Sequence, residues 1–143
     1  MKELPAITDA VAHMRRGELT PTDLVERCLA RIDEFDDQIH AWVMVDVDGA
    51  RAEADRLTAL AQRGEIVGPL HGIPMGIKDI IDVAGMPTKA GSPLRKSAPP
   101  AESDALVVAR LHQAGAIILG KTVTTEWACF DPPPTRNPWN LDR

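Results

Sequence analysis

Two lysines of this sequence, Lys78 and Lys121, stand in short glycine-containing patterns of the kind that carry chemistry. Lys121 lies in the segment GAIILGKT at 115–122, which matches the G-x-x-x-x-G-K-[ST] pattern of phosphate-binding loops at every defined position. Lys78 lies in GPLHGIPMGIKD at 68–79, where glycines and prolines interrupt apolar residues. The first pattern would make this a nucleotide-binding protein, and the second could enclose a lysine that acts as a base.

The residues around Lys121 argue against a phosphate-binding loop. Such a loop needs its four middle residues to wrap a phosphate, between a preceding strand and a following helix. Here a predicted helix precedes the pattern and Gly115 ends that helix. The residues Ala-Ile-Ile-Leu at 116–119 are typical of a strand buried on both faces. We interpret the match as accidental; an NTP-binding module is the alternative that rests on 115–122 alone.

Lys78 is a charged residue within a stretch that is predicted to be buried, and the local sequence allows two interpretations. In the first, the side chain reaches the surface or pairs with Asp79 or Asp82. In the second, it is desolvated and neutral, so that it can accept a proton, which requires its pKa to fall from about 10.4 to about 7. Composition alone favours the first interpretation, because buried lysines are uncommon.

Composition limits the class of protein. The chain has 143 residues, a net charge of −5 and no basic block, which argues against nucleic acid or an anionic membrane as the main partner. No apolar run approaches the roughly 20 residues of a membrane-spanning helix, and the first residues lack the apolar core of a signal peptide. Two cysteines make no disulfide framework, so we expect a cytoplasmic protein.

The histidines and cysteines predict no metal site and no cofactor. The four histidines, at 13, 40, 71 and 112, show no ligand spacing, and the cysteines do not form a pair of zinc ligands. Cys129 with His71 could be a thiol nucleophile and its base, but nothing in the local sequence supports this pairing. We expect Cys129 to be a small buried thiol, Cys28 to fill the core, and His112 to lie on a helix surface.

Hydrophobic periodicity predicts an α/β fold. A helix should begin at Thr20, because this residue can cap it, Pro21 suits the first helical position and Asp23 favours the helix dipole. The predicted helices are 6–16, 20–36, 48–64 and 103–114; the predicted strands are 41–45 and 116–119, with extended chain at 68–85 and a loop at 86–101. A largely parallel sheet of about three strands would leave apolar edges exposed, so the fold should be incomplete.

At 68–79 the sequence resembles the catalytic-lysine segment of the amidase signature family. The similarity covers nearly the whole chain, in family order and spacing, at 20–36, 50–64, 81–92, 104–126 and 135–140. The resemblance implies the N-terminal portion of an amidase-signature fold, a mixed β-sheet covered by α-helices. Residues 1–143 would then be the N-terminal part of a single amidase domain, with no second domain.

The resemblance also implies a function. Members of this family are serine hydrolases that cleave carbon–nitrogen amide bonds of small-molecule substrates through an acyl-enzyme, without a metal or an organic cofactor. They use a nucleophilic serine, a second serine in cis peptide linkage, and a lysine that corresponds to Lys78. No direct binding of nucleic acid or membrane is implied. The partners to be expected are further copies of the chain or the other subunits of an amidotransferase.

The two family serines lie in a Gly/Ser-rich signature, which this sequence does not reach before Arg143. Ser92, predicted in a loop, and Ser103, predicted to cap a helix, do not fit their roles, and neither does Ser97. We therefore expect 1–143 to be part of a longer chain and to be inactive alone. The alternatives are the glutaminase subunit of a tRNA-dependent amidotransferase and, in another class, a non-catalytic truncated fragment or pseudoenzyme.

Overall fold

The computed structural model describes residues 4–129 and 131–142, and within them it has the predicted α/β class. The helices are α1 (Ile7–Arg15), α2 (Pro21–Ile39), α3 (Val47–Gln62) and α4 (Leu106–Gln113), and the strands are β1 (Trp42–Val45), β2 (Pro74–Lys78) and β3 (Ile117–Thr122). Two short 3₁₀ turns occur at Pro93–Arg95 and Glu126–Ala128. Four helices and three strands are the elements that the periodicity predicted.

The chain divides into two compact units. The first comprises 4–31, 46–75 and 110–119, and the second comprises 32–45, 76–109 and the described residues from 120 onwards. Both units combine segments that are distant in sequence, so neither could be recognised as a continuous block of the chain. The assignment of 1–143 to one domain stays a prediction.

The three strands form one sheet in the order β1-β3-β2. Strand β1 is antiparallel to β3, with Trp42 opposite Thr122. Strands β2 and β3 run in the same direction: the Ile117 amide donates to the Ile73 carbonyl at their start, and the Asp79 amide donates to the Thr122 carbonyl at their end. The sheet is therefore mixed rather than largely parallel. The parallel pair brings the ends of β2 and β3 to the same edge.

Strand β3 confirms the prediction of a buried strand. Its first five residues are buried, and it continues through Gly120 and Lys121 to Thr122. At Gly120, with φ 151°, an added β-carbon would collide with the Met44 carbonyl of β1. The glycine thus permits the close approach of two strands. It does not make the turn that a phosphate-binding loop would need.

The first unit confirms the predicted start of α2. The Thr20 hydroxyl accepts a hydrogen bond from the Asp23 amide (3.0 Å), and Asp23 Oδ2 accepts one from the Thr20 amide (3.1 Å). This reciprocal arrangement satisfies donors that the first helical turn leaves free. The bond from the Thr20 hydroxyl also lowers the pKa of the Asp23 carboxyl below its usual value. A buried core cluster packs here, consisting of Ala10, Met14, Leu19, Leu24 and Ile73.

The predicted glycine stops are confirmed, but the predicted start of α4 is wrong. Gly17, Gly64 and Gly115 have positive φ values of 70°, 79° and 90°, which glycine adopts at little cost. Helix α4 begins at Leu106, so Ser103 is not its cap. The Asp104 carboxylate accepts a hydrogen bond from the Ala84 amide (2.7 Å), across 20 residues of chain, and such a contact leaves no local signal.

His71 is a buried residue of the first unit whose two ring nitrogens are both engaged. The side chain is 3% exposed. The Val67 amide donates to Nδ1 (3.2 Å), which leaves Nε2 to donate to the Leu57 carbonyl (3.2 Å). Burial lowers the pKa of His71 below its usual value, because the charged imidazolium loses hydration. His71 is therefore a neutral structural group, as the absence of a supporting motif for a base suggested.

We predict that His71 makes the protein less stable as the pH falls from about 7.5 to about 5. Above the unfolded pKa of about 6.5, neither state binds the proton and the full stability is present. Below it the unfolded imidazole is protonated and the buried one resists protonation, so the free energy of unfolding decreases. Urea denaturation across this range should give a shallower pH dependence for His71→Gln. An unchanged dependence in the variant would contradict the prediction.

Candidate functional site

Lys78 is the last residue of β2 and its side chain is exposed. The pleat of the strand directs Ile77 inward, where it is buried, and Lys78 to the opposite face. Within the described residues, the Lys78 side chain makes no hydrogen bond or ion pair. The expectation that this lysine is enclosed by its own stretch of chain is therefore wrong. What the chain provides is an amine on a fixed strand end with its proton-binding atom accessible.

Asp79 follows Lys78 and is 1% exposed. Its amide donates to the Thr122 carbonyl at the end of β3 (2.9 Å), and its carbonyl accepts from the Ala90 amide (2.9 Å). Its Oδ2 atom accepts from the Lys89 amide (3.2 Å). Asp79 is thus not the partner of Lys78 that the first interpretation allowed. It fixes the chain at the position where Lys78 projects.

Lys121 is fully buried, with 0% of its surface exposed, and it is the ionic partner of Asp79. Its Nζ atom lies 3.0 Å from Asp79 Oδ1. The ammonium donates hydrogen bonds to Thr88 Oγ1 (2.9 Å) and to the Pro87 carbonyl (3.3 Å), so its contact with Oδ1 is one of charge rather than an aligned hydrogen bond. All three donors of the ammonium face protein atoms. No donor remains for a phosphate.

The Asp79–Lys121 pair is a feature that sequence reasoning missed. A signal was present: each residue is a charge inside an otherwise apolar, strand-like stretch, and the two charges are opposite. We expected Lys121→Ala to be a neutral control for changes at Lys78. The structure makes it unsuitable, because removal of one partner leaves a buried charge uncompensated, which typically costs about 3–5 kcal/mol.

None of the three serines of the sequence is brought to Lys78 by a described contact. Ser92 is buried; its hydroxyl donates to Glu126 Oε1 (2.6 Å) and accepts from the Leu94 amide (3.3 Å). Ser97 and Ser103 are exposed. The bond to Glu126 closes the segment after Lys78 onto the segment after β3, which gives Ser92 a structural role.

The cysteines and histidines form no second reactive site. Cys28 is half-buried, and burial raises the pKa of its thiol, so the prediction that it fills the core holds in part. Cys129 is exposed, so the prediction of a buried thiol there is wrong. Among residues 4–129 and 131–142, no cluster of three or more His, Cys, Asp or Glu side chains could hold a metal ion. No helix within the same residues is long and apolar enough to cross a bilayer.

Comparison with known proteins places these features in a family context. The sequence profile of the Amidase family matches residues 23–143. The A-type subunit of the glutamyl-tRNA(Gln) amidotransferase of Streptomyces avermitilis is 39% identical over 142 residues, which cover 94% of this chain and 28% of that protein. AtzE of Pseudomonas sp. (strain ADP), which is named as one of the subunits of 1-carboxybiuret hydrolase, is 39% identical over 135 residues, covering 89% of this chain and 29% of that protein.

A solved structure shows the same fold. The native peptide amidase of Stenotrophomonas maltophilia matches this chain with a TM-score of 0.84 at 36% identity, over 94% of this chain and 30% of that one. The chain therefore spans less than a third of the length of the relatives that it matches. The matched part includes Lys78, Asp79 and Lys121.

The burial of Lys121 predicts that nucleotides do not bind at 115–122. A ligand of the folded state present at about 100 times its Kd would stabilise the protein by about 2.7 kcal/mol. We therefore expect Mg²⁺-ATP and Mg²⁺-GTP to leave the melting temperature unchanged in thermal unfolding followed by circular dichroism. An authentic phosphate-loop protein serves as the positive control. A saturable rise in melting temperature would show that the strand opens to bind phosphate.

Proposed function

The chain belongs to the amidase family, and we propose that the protein containing it hydrolyses carbon–nitrogen amide bonds of small molecules, with Lys78 as the proton-transfer residue that this chain supplies. The observation that carries the proposal is the placement of Lys78. It ends a strand that is hydrogen-bonded to a buried neighbour, yet its amine has no partner within the described residues. A base needs such a fixed position and a free lone pair.

In the proposed reaction, the neutral amine of Lys78 accepts a proton from a bridging serine, which takes the proton of a nucleophilic serine. The nucleophile's oxygen bonds to the amide carbonyl carbon, the carbon–nitrogen bond breaks, and the leaving nitrogen receives the proton back through the bridging serine. Water then cleaves the acyl-enzyme by the same proton path. No metal or organic cofactor takes part.

The two serines of this mechanism come from outside residues 1–143. Ser92 donates its proton to Glu126, and Ser97 and Ser103 are exposed, so none of them is suited to serve Lys78. We therefore propose that residues 1–143 by themselves do not turn over amides. In the protein with both serines, the apolar surroundings that keep Lys78 neutral would come from residues other than those of β2.

We predict that Lys78→Ala lowers kcat on an amide substrate by about 10²- to 10⁴-fold, which is the usual contribution of a positioned acid or base. Lys78→Arg should be nearly as damaging, because a guanidinium stays charged and cannot accept the proton. The fold should survive, since a substitution of an exposed side chain usually changes stability by less than about 0.5 kcal/mol. Steady-state kinetics with circular dichroism on each variant measure both effects.

Lys96→Ala is the matched control, because Lys96 is also an exposed lysine and the substitution removes the same charge. It should keep parental kcat and KM. Folded Lys78→Ala with near-parental turnover would refute the assignment of the base.

A second candidate is the glutaminase component of an amidotransferase. It is favoured by the 39% identity to the A-type subunit of such an enzyme. A protein of this kind would release ammonia from glutamine for its partners, whereas a stand-alone amidase would act on simple amides without them. We predict turnover of simple aryl or alkyl amides by the purified protein alone. Turnover of glutamine only, and only after co-purified partner proteins are added, would favour the second candidate.

A further inference from the structure

We propose that the buried Asp79–Lys121 pair is a positioning device for Lys78, one that sets where the amine of this lysine stands. The inference rests on the proposed function and concerns how the catalytic rate is achieved. It assigns to Asp79 and Lys121 a role through Lys78, without contact with the substrate.

The first step of the argument is that Asp79 is bound through all of its polar groups. Its amide is bound by Thr122, its carbonyl by Ala90, one carboxylate oxygen by the Lys89 amide and the other by the Lys121 ammonium. A residue held in this way cannot rotate about its own backbone without breaking several contacts. The position and direction of the preceding Cα atom, that of Lys78, are set by the same contacts.

The second step is that little else holds this end of the strand. Immediately after Lys78 the chain leaves the sheet, because the amides of Ile80 and Ile81 both donate to the Lys78 carbonyl (2.8 and 3.0 Å) in a tight turn. The ladder of β2 therefore ends with the bond from Asp79 to Thr122. Beyond that point, the Asp79 side chain is the group that connects the strand end to its surroundings.

The third step is that one ammonium joins three segments. Lys121 belongs to β3, contacts the carboxylate that follows β2, and donates to Thr88 and Pro87 of the loop beyond. The Nζ atom is fully enclosed, so water does not screen the attraction to Asp79. The pair thus ties the end of β2 to the neighbouring strand and to the loop at 87–90 at the same time.

Catalysis is sensitive to such positioning, since a displacement of about 1 Å can cost about 100-fold in rate. We therefore expect loss of the pair to lower kcat by about 10- to 100-fold while KM changes by less than about twofold, because only the proton transfer depends on the exact position of the amine. A pair that served stability alone would affect kcat only through the fraction of folded protein.

The double variant Asp79→Asn/Lys121→Met separates these two roles. Each single substitution leaves a buried charge alone and should lower the melting temperature. The double variant has no buried charge, since Met has nearly the length of Lys and Asn still accepts from the Lys89 amide, so most of the melting temperature should return. The connection between the strand end and Lys121 stays broken. We expect kcat to remain at least about tenfold below the parent, with KM nearly unchanged.

The experiment measures kcat, KM and melting temperature for the parent, both single variants, the double variant, Lys78→Ala and Lys96→Ala, in the protein that carries the serines. If the double variant regains parental kcat together with its melting temperature, the pair is only structural and the inference is wrong. If Lys78→Ala keeps its turnover, the proposed function fails and the positioning role fails with it. Loss of activity in Lys78→Ala with full activity in the double variant refutes the inference alone.

Thr88→Val decides the question if the double variant does not fold. It removes one hydrogen bond from the Lys121 ammonium while both charges and the shape of the side chain are kept. A several-fold lower kcat at parental KM and melting temperature supports positioning. Parental kcat in this variant, with the loop hydrogen bond lost, overturns it.

Discussion

The contact between the Lys121 ammonium and the Asp79 carboxylate is the interaction on which the second unit depends. Each ion loses several kcal/mol of hydration on burial, and only close polar neighbours can offset that loss. These neighbours are the Thr88 hydroxyl, the Pro87 carbonyl and the Lys89 amide, all in one loop. The loop is therefore required where it stands, because without it the buried pair would be incompletely solvated by protein groups. The pair organises the chain more than it adds net stability.

The direction of the strands determines where this organisation has its effect. Strands β2 and β3 are parallel, so the ends at Lys78 and Thr122 lie at one edge, and the chain segments that follow both strands meet there. The hydrogen bond from Ser92 to Glu126 joins these segments, and Gly91 allows the approach, since an added β-carbon would stand 2.8 Å from the Thr124 carbonyl oxygen. Reactive side chains of α/β proteins commonly lie at such strand ends, where a rigid sheet holds a residue that loops can still surround.

The exposure of Lys78 and the burial of Lys121 follow from one geometric rule. Side chains alternate between the two faces of a strand, and in β2 the face that holds Ile77 is packed while the face of Lys78 is open. In β3 both faces are packed, so Lys121 is enclosed whichever way it points. A strand end with one open face offers an amine that a partner group can reach. A strand packed on both faces offers only a fixed internal charge.

The sequence by itself determined the features that depend on near neighbours. The capping pair of Thr20 and Asp23, the glycine ends of the helices and the apolar run before Gly120 are local, so composition and spacing were enough to predict the α/β class and to reject a phosphate-binding loop. The identification of Lys78 as the site residue came from family resemblance and stays a proposal.

Only the tertiary structure decided which of the two lysines is buried and which carboxylate pairs with it. Lys78 and Lys121 both stand among apolar residues in the sequence, and Asp79 is adjacent to one of them and 42 positions from the other. The pairing depends on the register of β2 against β3, and the wrong expectations for Cys129 and Ser103 also concerned packing between distant segments. Contacts of this kind leave no periodic pattern in the chain, because burial and ion pairing are set by the elements that fold against a residue rather than by its neighbours in sequence.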